Sequence, residues 1–577
     1  MLQTKLIKDK DAIALINDLC FQSEWKKLAT QSVGFTQLQE ADFLTTWYIN
    51  YSALFSPVFI FSRNEKNEMV GLIALAWHKE KNYLVHAGNA EYHGWLVKEE
   101  LTIPFLKEML NLVRVELNVE KWAWNWMPSG LNAASLKAAA SKDICLLVEE
   151  QGSPIWQLDN EDKLKKLLKS RSNRSKFNRY KKRGEYYYEI INKPDRIREV
   201  LEIARFQCDL RREAMNNSRP FAEDPYKIDF CSELLNFSNK LHVSAMWLDD
   251  QLLAFHMGVE DGERVCFGMV SYDPSESKQS PGTLLIIELA KHLQESGYKI
   301  LDMTPGTNSY KDRFANFYET LYRPTFHFSK KSFFKAKVNY FIVATLGKIL
   351  ALGKVDVSTM RKWKTNIGEL PSKLKSISPK TIFLSLVHVL FQKDIHYLYE
   401  IDLNNEEVFS KADLVYSHQK YIDLLDYQGN QPFLTRRDLL IVALEKFAKG
   451  DILLSQSKLG KLQSLGWLKE IKGDTKLDGF SETIDFGEKN HLLHDFYLSS
   501  EKEAGNIEDN IMSMLYQVKK SGKEKVMLWV KEKDKLSLER LDFLHIKSFR
   551  KYLSSSVLVY FKKNTVTDII NSRHPNA

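Results

Sequence analysis

The chain has 577 residues, enough for three or four domains at about 100–200 residues each. Hydrophobic residues make up 44% and charged residues 27%, which supplies apolar area for real cores and excludes a disordered, collagenous or fibrous chain. The net charge of +8 is modest for this size and does not by itself point to nucleic acid, so its location matters more than its sum.

Residues 1–155 mix helical and strand signals. Apolar spacing predicts helices over 12–20 and 38–55, and strands over 58–62 and 70–77 around a turn at 64–67. Further strands are expected over 122–126 and 144–149. The alternation of Trp122, Trp124 and Trp126 reads as a strand with one packed face. Lys and Asp interrupt the apolar residues of the first 20 positions, so no secretory core is expected there. Cys20, Cys145, Cys208, Cys231 and Cys266 are scattered, with no CxxC or metal-ligand spacing. They read as reduced thiols of a cytosolic protein.

Between positions 163 and 183 lie eleven Lys and Arg residues and no acid, so the rest of the chain is slightly acidic. Leu164, Leu167, Leu168 and Phe177 give this stretch a thin apolar stripe at helical spacing. Like charges along a helix repel, and eleven of one sign exceed what solvation requires. The segment therefore implies an anionic partner, with Arg171, Arg174, Arg179 and Arg183 as its candidate contacts. A lipid face, a sugar-phosphate carrier and RNA all remain open.

A strand over 186–191 and a helix over 195–212 follow. A hairpin is expected next, 243–247 with 252–260, turning at Asp249-Asp250. After a strand over 264–271 comes Gln279-Ser280-Pro281-Gly282-Thr283, then an amphipathic helix stopping at Gly297 and a strand over 299–303. Pro before the helix and Gly after it fit the start and stop preferences of helices. A helix N-terminus with free N–H groups is an anion site when the chain approaches it closely, and Gly282 removes a Cβ that would stand in the way. Ser280 or Thr283 can cap the helix or donate to a phosphate.

Residues 331–400 read as a helical connector. Its stretch at 338–352 is an amphipathic helix packed between domains or, with its neighbouring lysines, one lying on an anionic membrane face. Neither this stretch nor 382–391 reaches the roughly 20 apolar residues of a membrane span. Residues 401–577 repeat the earlier order: helix 437–449, hairpin 452–455 with 462–471, strand 495–500, helix 507–521 and strand 525–531. A helix over 536–543 and a strand over 556–561 complete it.

The order hairpin, strand, Gln279-x-x-Gly282, helix, strand resembles the GNAT acyltransferases, whose corresponding loop binds the pyrophosphate of an acyl-coenzyme A. Leu284 stands where that family has Gly or Ala. The basic stretch, Ser280-Pro281-Gly282-Thr283, and Asp302-x-x-x-Gly306 followed by Tyr310-Lys311 resemble the CelD-type branch, itself similar to the FemABX transferases. The resemblance implies an α/β (α+β) fold of tandem GNAT-like units with mixed, mostly antiparallel sheets flanked by helices. It divides the chain into a degenerate GNAT-like half at 1–155, the CelD-type domain at 156–330, the connector, and a C-terminal GNAT-like domain at 401–577. Gly505 sits where that last domain's phosphate loop belongs.

The resemblance also implies acetyl-CoA or another acyl-CoA as co-substrate, held by Gln279, Ser280, Pro281, Gly282 and Thr283. The acceptor would be an amine or hydroxyl on a cell-envelope or exopolysaccharide precursor. Acyl transfer needs a proton acceptor for the nucleophile and an acid for the leaving thiolate. Tyr310 follows the strand that should line the acyl site and suits the acid. Lys311 can pair with a phosphate, Asp302 can orient the acceptor or act as base, and His256 is a second base candidate. The 14 histidines form no cluster with metal-ligand spacing, so no metal is implied. Two alternatives stand beside this reading: a FemABX-like transferase using aminoacyl-tRNA, and a non-catalytic scaffold associated with the inner face of the membrane.

Overall fold

A computed structural model describes residues 2–338, apart from 89, 238–239 and 307–308, and then 394–404, 417–418, 420–429, 435–476, 483–486, 490–498, 507–531 and 544–551. Of the helical connector expected at 331–400, residues 339–393 lie outside the described residues, and its last part is not helical but belongs to strand Asp394–Asp402; Gly505 with its loop and the elements at 536–543 and 556–561 also lie outside the described residues. The chain divides into two compact units. The first comprises Met1–Cys208, Pro220–Tyr272 and Ser280–Arg361; the second comprises Asp209–Arg219, Asp273–Gln279 and Lys362–Ala577.

The first unit opens with an antiparallel sheet of β1 (Gln3–Lys8), β2 (Phe55–Arg63), β3 (Met69–His78) and β4 (Tyr83–His86) in that order, with β5 (Leu96–Val97) added to β3. Period-two alternation sends Phe59, Phe61 and Leu72 into one core and Val58, Ile60, Ile73 and Leu75 into another. The first core is covered by α1 (Asp9–Asn17), α2 (Leu19–Gln31) and α3 (Ala41–Asn50), the second by α4 (Thr102–Glu116). Both faces are buried, so β2 and β3 read as near-continuous apolar runs. The expected helix over 12–20 is broken because the Asp18 side chain accepts from the Cys20 N–H and starts a new helix.

The remaining elements of this unit are β6 (Lys121–Ala123), α5 (Ala133–Ala139), β7 (Cys145–Gln157), α6 (Glu161–Lys169), α7 (Arg171–Arg183), β8 (Tyr186–Ile190), α8 (Pro194–Asn216), α9 (Lys227–Phe237), β9 (Leu241–Leu248), β10 (Gln251–Asp261), β11 (Arg264–Cys266), β12 (Met269–Tyr272), α10 (Pro281–Glu295), β13 (Ile300–Asp302), α11 (Ser309–Asp312) and β14 (Phe317–His327). The end of α8 belongs to the second unit. The strands form one sheet in the order β6-β14-β7-β13-β11-β10-β9-β8, with β12 paired to β10. Within it, among the described residues, only β11 and β13 run parallel. The fold is therefore α+β with mostly antiparallel sheets. The expected boundary at 155–156 falls inside β7, which pairs with both β13 and β14.

The strand expected over 264–271 is split. Val265 faces Glu260 on β10, but Met269 faces Met257, so four steps on one strand oppose three on the other. The extra residue is a bulge at Cys266–Gly268, closed by the Gly268 N–H donating to the Cys266 carbonyl at 2.9 Å. Glycine is required opposite it, because a Cβ on Gly258 would stand 1.7 Å from the Cys266 oxygen. Gly258→Ala is expected to destabilise the chain by about 1–3 kcal/mol or more, read as a lower denaturation midpoint. An unchanged midpoint would show that the bulge yields freely.

The second unit's main sheet runs Ser417–His418, Ile452–Lys458, Lys461–Ile471, Asn490–Leu498, Lys525–Lys531, Asp394–Asp402 and Leu544–Lys551. Helix Arg436–Lys449 begins with a Thr435/Asp438 capping box and ends at the left-handed Gly450. As in the first unit, a parallel contact joins the strands flanking a helix: Leu492 and Leu493 pair with Met527 and Leu528, on either side of Ile507–Lys520. Among the described residues, no helix is long and apolar enough to cross a membrane.

Candidate functional site

The bulge opens the site. β11 and β13 stay paired through Cys266 and Asp302, and the Phe267 N–H donates to the Asp302 carbonyl at 2.7 Å. Beyond that point β12 follows β10, while the other chain turns away through Thr304 (φ +59°) and Gly306 (φ +147°). A wedge forms between strands that were neighbours.

Helix α10 follows β12. Its cap, Ser280, is left-handed (φ +56°), and its carbonyl accepts from the Thr283 and Leu284 N–H groups. Pro281 occupies the first helical position, where its missing N–H costs nothing. Gly282 lies against the Tyr272 ring, whose nearest carbon is 2.9 Å from where a Cβ would stand. Its bare Cα thus serves a packing contact. Leu284 is fully buried under the helix among Met246, Leu253 and Leu285. Gln279 ends a short turn counted with the second unit.

One basic side chain reaches Ser280. Lys176 donates from Nζ to Ser280 Oγ at 3.0 Å. Partial burial, then the charges of Arg313 and Arg179, push the Lys176 ammonium below its ordinary value. Lys176 thus stands at the positive end of a helix with two further cations near enough to disfavour its charge. The single basic stretch expected from the sequence is two helices meeting at Ser170. Leu164 and Tyr180 anchor them in the core, and Arg171, Arg174, Arg179 and Arg183 are exposed. Arg183 lies over the Tyr180 ring at 5.6 Å.

Asp302 is fully buried and engaged through both oxygens. Oδ2 accepts from Tyr92 Oη at 2.7 Å and Arg264 Nη1 at 3.1 Å; Oδ1 accepts from the Thr304 N–H at 2.8 Å. Arg264 also forks onto Glu319 at 3.0 and 2.5 Å. Burial raises the Asp302 pKa despite Arg264. This carboxyl holds strands together and does not stand free to take a substrate proton. Lys311 is buried too, donating from Nζ to the Thr304 carbonyl at 2.9 Å and hydroxyl at 3.1 Å. It braces the turn at the wedge. Tyr310 is half-buried beside the Trp156–Phe314 core.

His256 is fully buried on β10, its ring 5.5 Å from Phe267 and stacked on it. Burial holds it well below the usual imidazole range. Sequence reasoning brought Asp302, Lys311 and His256 to this region, but missed Arg313, Arg264, Tyr92 and Glu319. Arg313 had one available signal, its place two residues after Lys311. Tyr92 had none, being 210 positions from its partner. Among the described residues no group of His, Cys, Asp and Glu can hold a metal ion.

Several known proteins resemble the chain. FemX shares 12% identity over 55% of this chain and 98% of its own, with a TM-score of 0.36. L-PGS from Bacillus licheniformis shares 12% over 56% and 95%, at 0.35. A tandem GNAT protein from the clavulanic acid biosynthesis pathway shares 11% over 56% and 98%, at 0.33. No curated protein matches. Residues 169–312, which contain the parted strands, Ser280 and most of the cationic cluster, match the family described as acetyltransferase (GNAT) domain, and the fold of this part of the chain is that of a GNAT acetyltransferase.

Proposed function

We propose that the chain is an acyl-CoA-dependent acyltransferase acting on an amine or hydroxyl. The observation that carries this reading is Lys176, bonded to the left-handed cap of α10 beside the parted strands and near enough to Arg179 and Arg313 to feel their charges. The residues fit a pyrophosphate: three cations and a helix N-terminus supply its counter-charge. Leu284, the departure from the family pattern, is buried under the helix and leaves that face clear. The wedge receives the extended part of the donor and brings the thioester toward the bulge.

In this reading Tyr310 gives its phenol proton to the leaving thiolate. Lys311 and Asp302 act as positioning residues, fixing the turn and the strand that frame the wedge. The acceptor is a precursor of the cell envelope or an exopolysaccharide, a choice that rests on the CelD-type resemblance alone. Calorimetric titration of the full chain with acetyl-CoA tests the reading. Binding that weakens as salt rises is expected, and Tyr310→Phe should keep binding while losing turnover. If no acyl-CoA binds at low salt, the reading fails.

A further inference from the structure

After β14 the chain enters a helix over 330–338 that the site described above does not use. Ser329 starts it. Its Oγ accepts from the Ser332 N–H at 3.1 Å, and its carbonyl accepts from the Phe333 N–H at 3.1 Å. One face of the helix is pinned to the sheet. The Phe333 ring meets the His327 ring edge-on with centroids 5.8 Å apart, and Ser332 Oγ lies 2.9 Å from His327 Nδ1. Ser332, Phe333 and Ala336 are accordingly half-buried.

The opposite face is exposed. At about 100° per residue, Phe334 and Val338 line up one turn apart on the side away from Ser332, Phe333 and Ala336. Phe334 is 70% exposed, more than any other aromatic side chain among the described residues, and Val338 is 44% exposed. Lys330 and Lys337 flank this ridge on one side, Lys331 and Lys335 on the other, and all four are exposed. No acid offsets them in the sequence, which has no Asp or Glu between Glu319 and Asp356.

An apolar ridge with one sign of charge on both flanks constrains what can cover it. Lysine is depleted at the centre of protein–protein interfaces, and here four crowd the ridge. Nucleic acid is recognised best by the arginine fork, and this face has no Arg. A bilayer surface suits both parts. The apolar side chains enter at the boundary of headgroups and acyl chains, while the lysine stems lie along that apolar layer and keep their ammonium ends among lipid phosphates.

We propose that the exposed face of this helix docks on an anionic lipid bilayer, with Phe334 and Val338 inserted below the headgroups and Lys330, Lys331, Lys335 and Lys337 on the lipid phosphates. The docking does not depend on the acyl-transfer reading, because it needs neither donor nor turnover. Two forces act in it. The charge attraction fades as salt shortens the Debye length, whereas the insertion of Phe334 does not.

Co-sedimentation of the full chain with vesicles tests this. The protein should bind an equal mixture of phosphatidylglycerol and phosphatidylcholine, bind phosphatidylcholine alone far more weakly, and come off as salt rises. Phe334→Ser should lower the partition coefficient roughly tenfold or more and keep the salt dependence. Lys331→Gln with Lys335→Gln should lower it about 10–30-fold and flatten the salt dependence. All three side chains are exposed, so denaturation midpoints should match wild type. Glycerol phosphate in solution should not displace the protein, since it offers the charge without the apolar layer. No binding to the mixed vesicles at low salt overturns the proposal, as does Phe334→Ser protein that binds like wild type, or displacement by glycerol phosphate. Binding that survives in both variants but disappears in Arg171→Gln with Arg174→Gln puts the contact on α7 and overturns it equally. If the face retains RNA and no vesicles, it is a nucleic-acid surface and the proposal fails. A chain that binds vesicles but no acyl-CoA leaves this proposal standing and removes only the acyl-transfer reading.

Discussion

Lys176→Glu is expected to weaken acetyl-CoA binding by roughly 10–100-fold, because a charge-assisted hydrogen bond is worth about 1.5–3 kcal/mol. The reversal does more than delete a donor. It places a carboxylate beside Arg179 and Arg313, the two cations that now repel Lys176. They would turn to the new carboxylate, and the cluster would be neutralised from within. The same change relieves repulsion in the free protein, so the denaturation midpoint should hold or rise. A global loss of structure would lower both, which makes the pair of measurements decisive. Lys176→Met should fall between wild type and the reversal in affinity, since it removes one cation without adding an anion. Affinity unchanged in Lys176→Glu at low salt would take the phosphate away from this cluster.

Local order was legible where one rule decided it. The helix at 281–295 announced itself by Pro281, Gly297 and an apolar stripe, and the structure places it there. The hairpin turning at Asp249-Asp250 is likewise found between β9 and β10, with Asp249 in the left-handed region (φ +50°). What failed to show was whatever depends on a distant partner. The run from 264 to 271 has uninterrupted strand character, yet it splits because Cys266 follows β13 while Met269 follows β10. Only Gly258 and Gly268 hinted at this, and a glycine in a strand has several meanings. Lys311 looked able to pair with a phosphate, but burial turns it inward onto Thr304. Asp302 looked like a free carboxylate at a strand end, and its partners come from residues 92, 264, 266 and 304. Sequence spacing identifies a residue that can do chemistry; its partners decide whether it is available to do so.

The largest stability effect is expected from Arg264→Met. Arg264 joins β11 to β13 through Asp302 and to β14 through Glu319, at the base of the wedge. Its removal leaves a fully buried carboxylate and a nearly buried one without their shared cation, a loss of about 3–5 kcal/mol for such an arrangement. Asp302 already has a raised pKa because burial outweighs the pull of Arg264. Without that arginine the carboxyl rises further and the folded protein binds a proton that the unfolded chain releases. Stability of the variant therefore falls as pH rises through the folded pKa, and its deficit against wild type should be greatest near neutrality and shrink toward acid. Arg264→Lys keeps the charge but not the fork onto Glu319, so it should lie between the two. Denaturation midpoints of the three proteins across pH would check the order and the trend. A deficit independent of pH would mean that Arg264 acts by packing and not by charge. Because Tyr92 Oη shares the same carboxylate oxygen, the Arg264→Met change should also loosen the hold of the N-terminal sheet region on the strand that frames the wedge. Acetyl-CoA affinity is then expected to fall even though Arg264 lies outside the cationic cluster at Ser280.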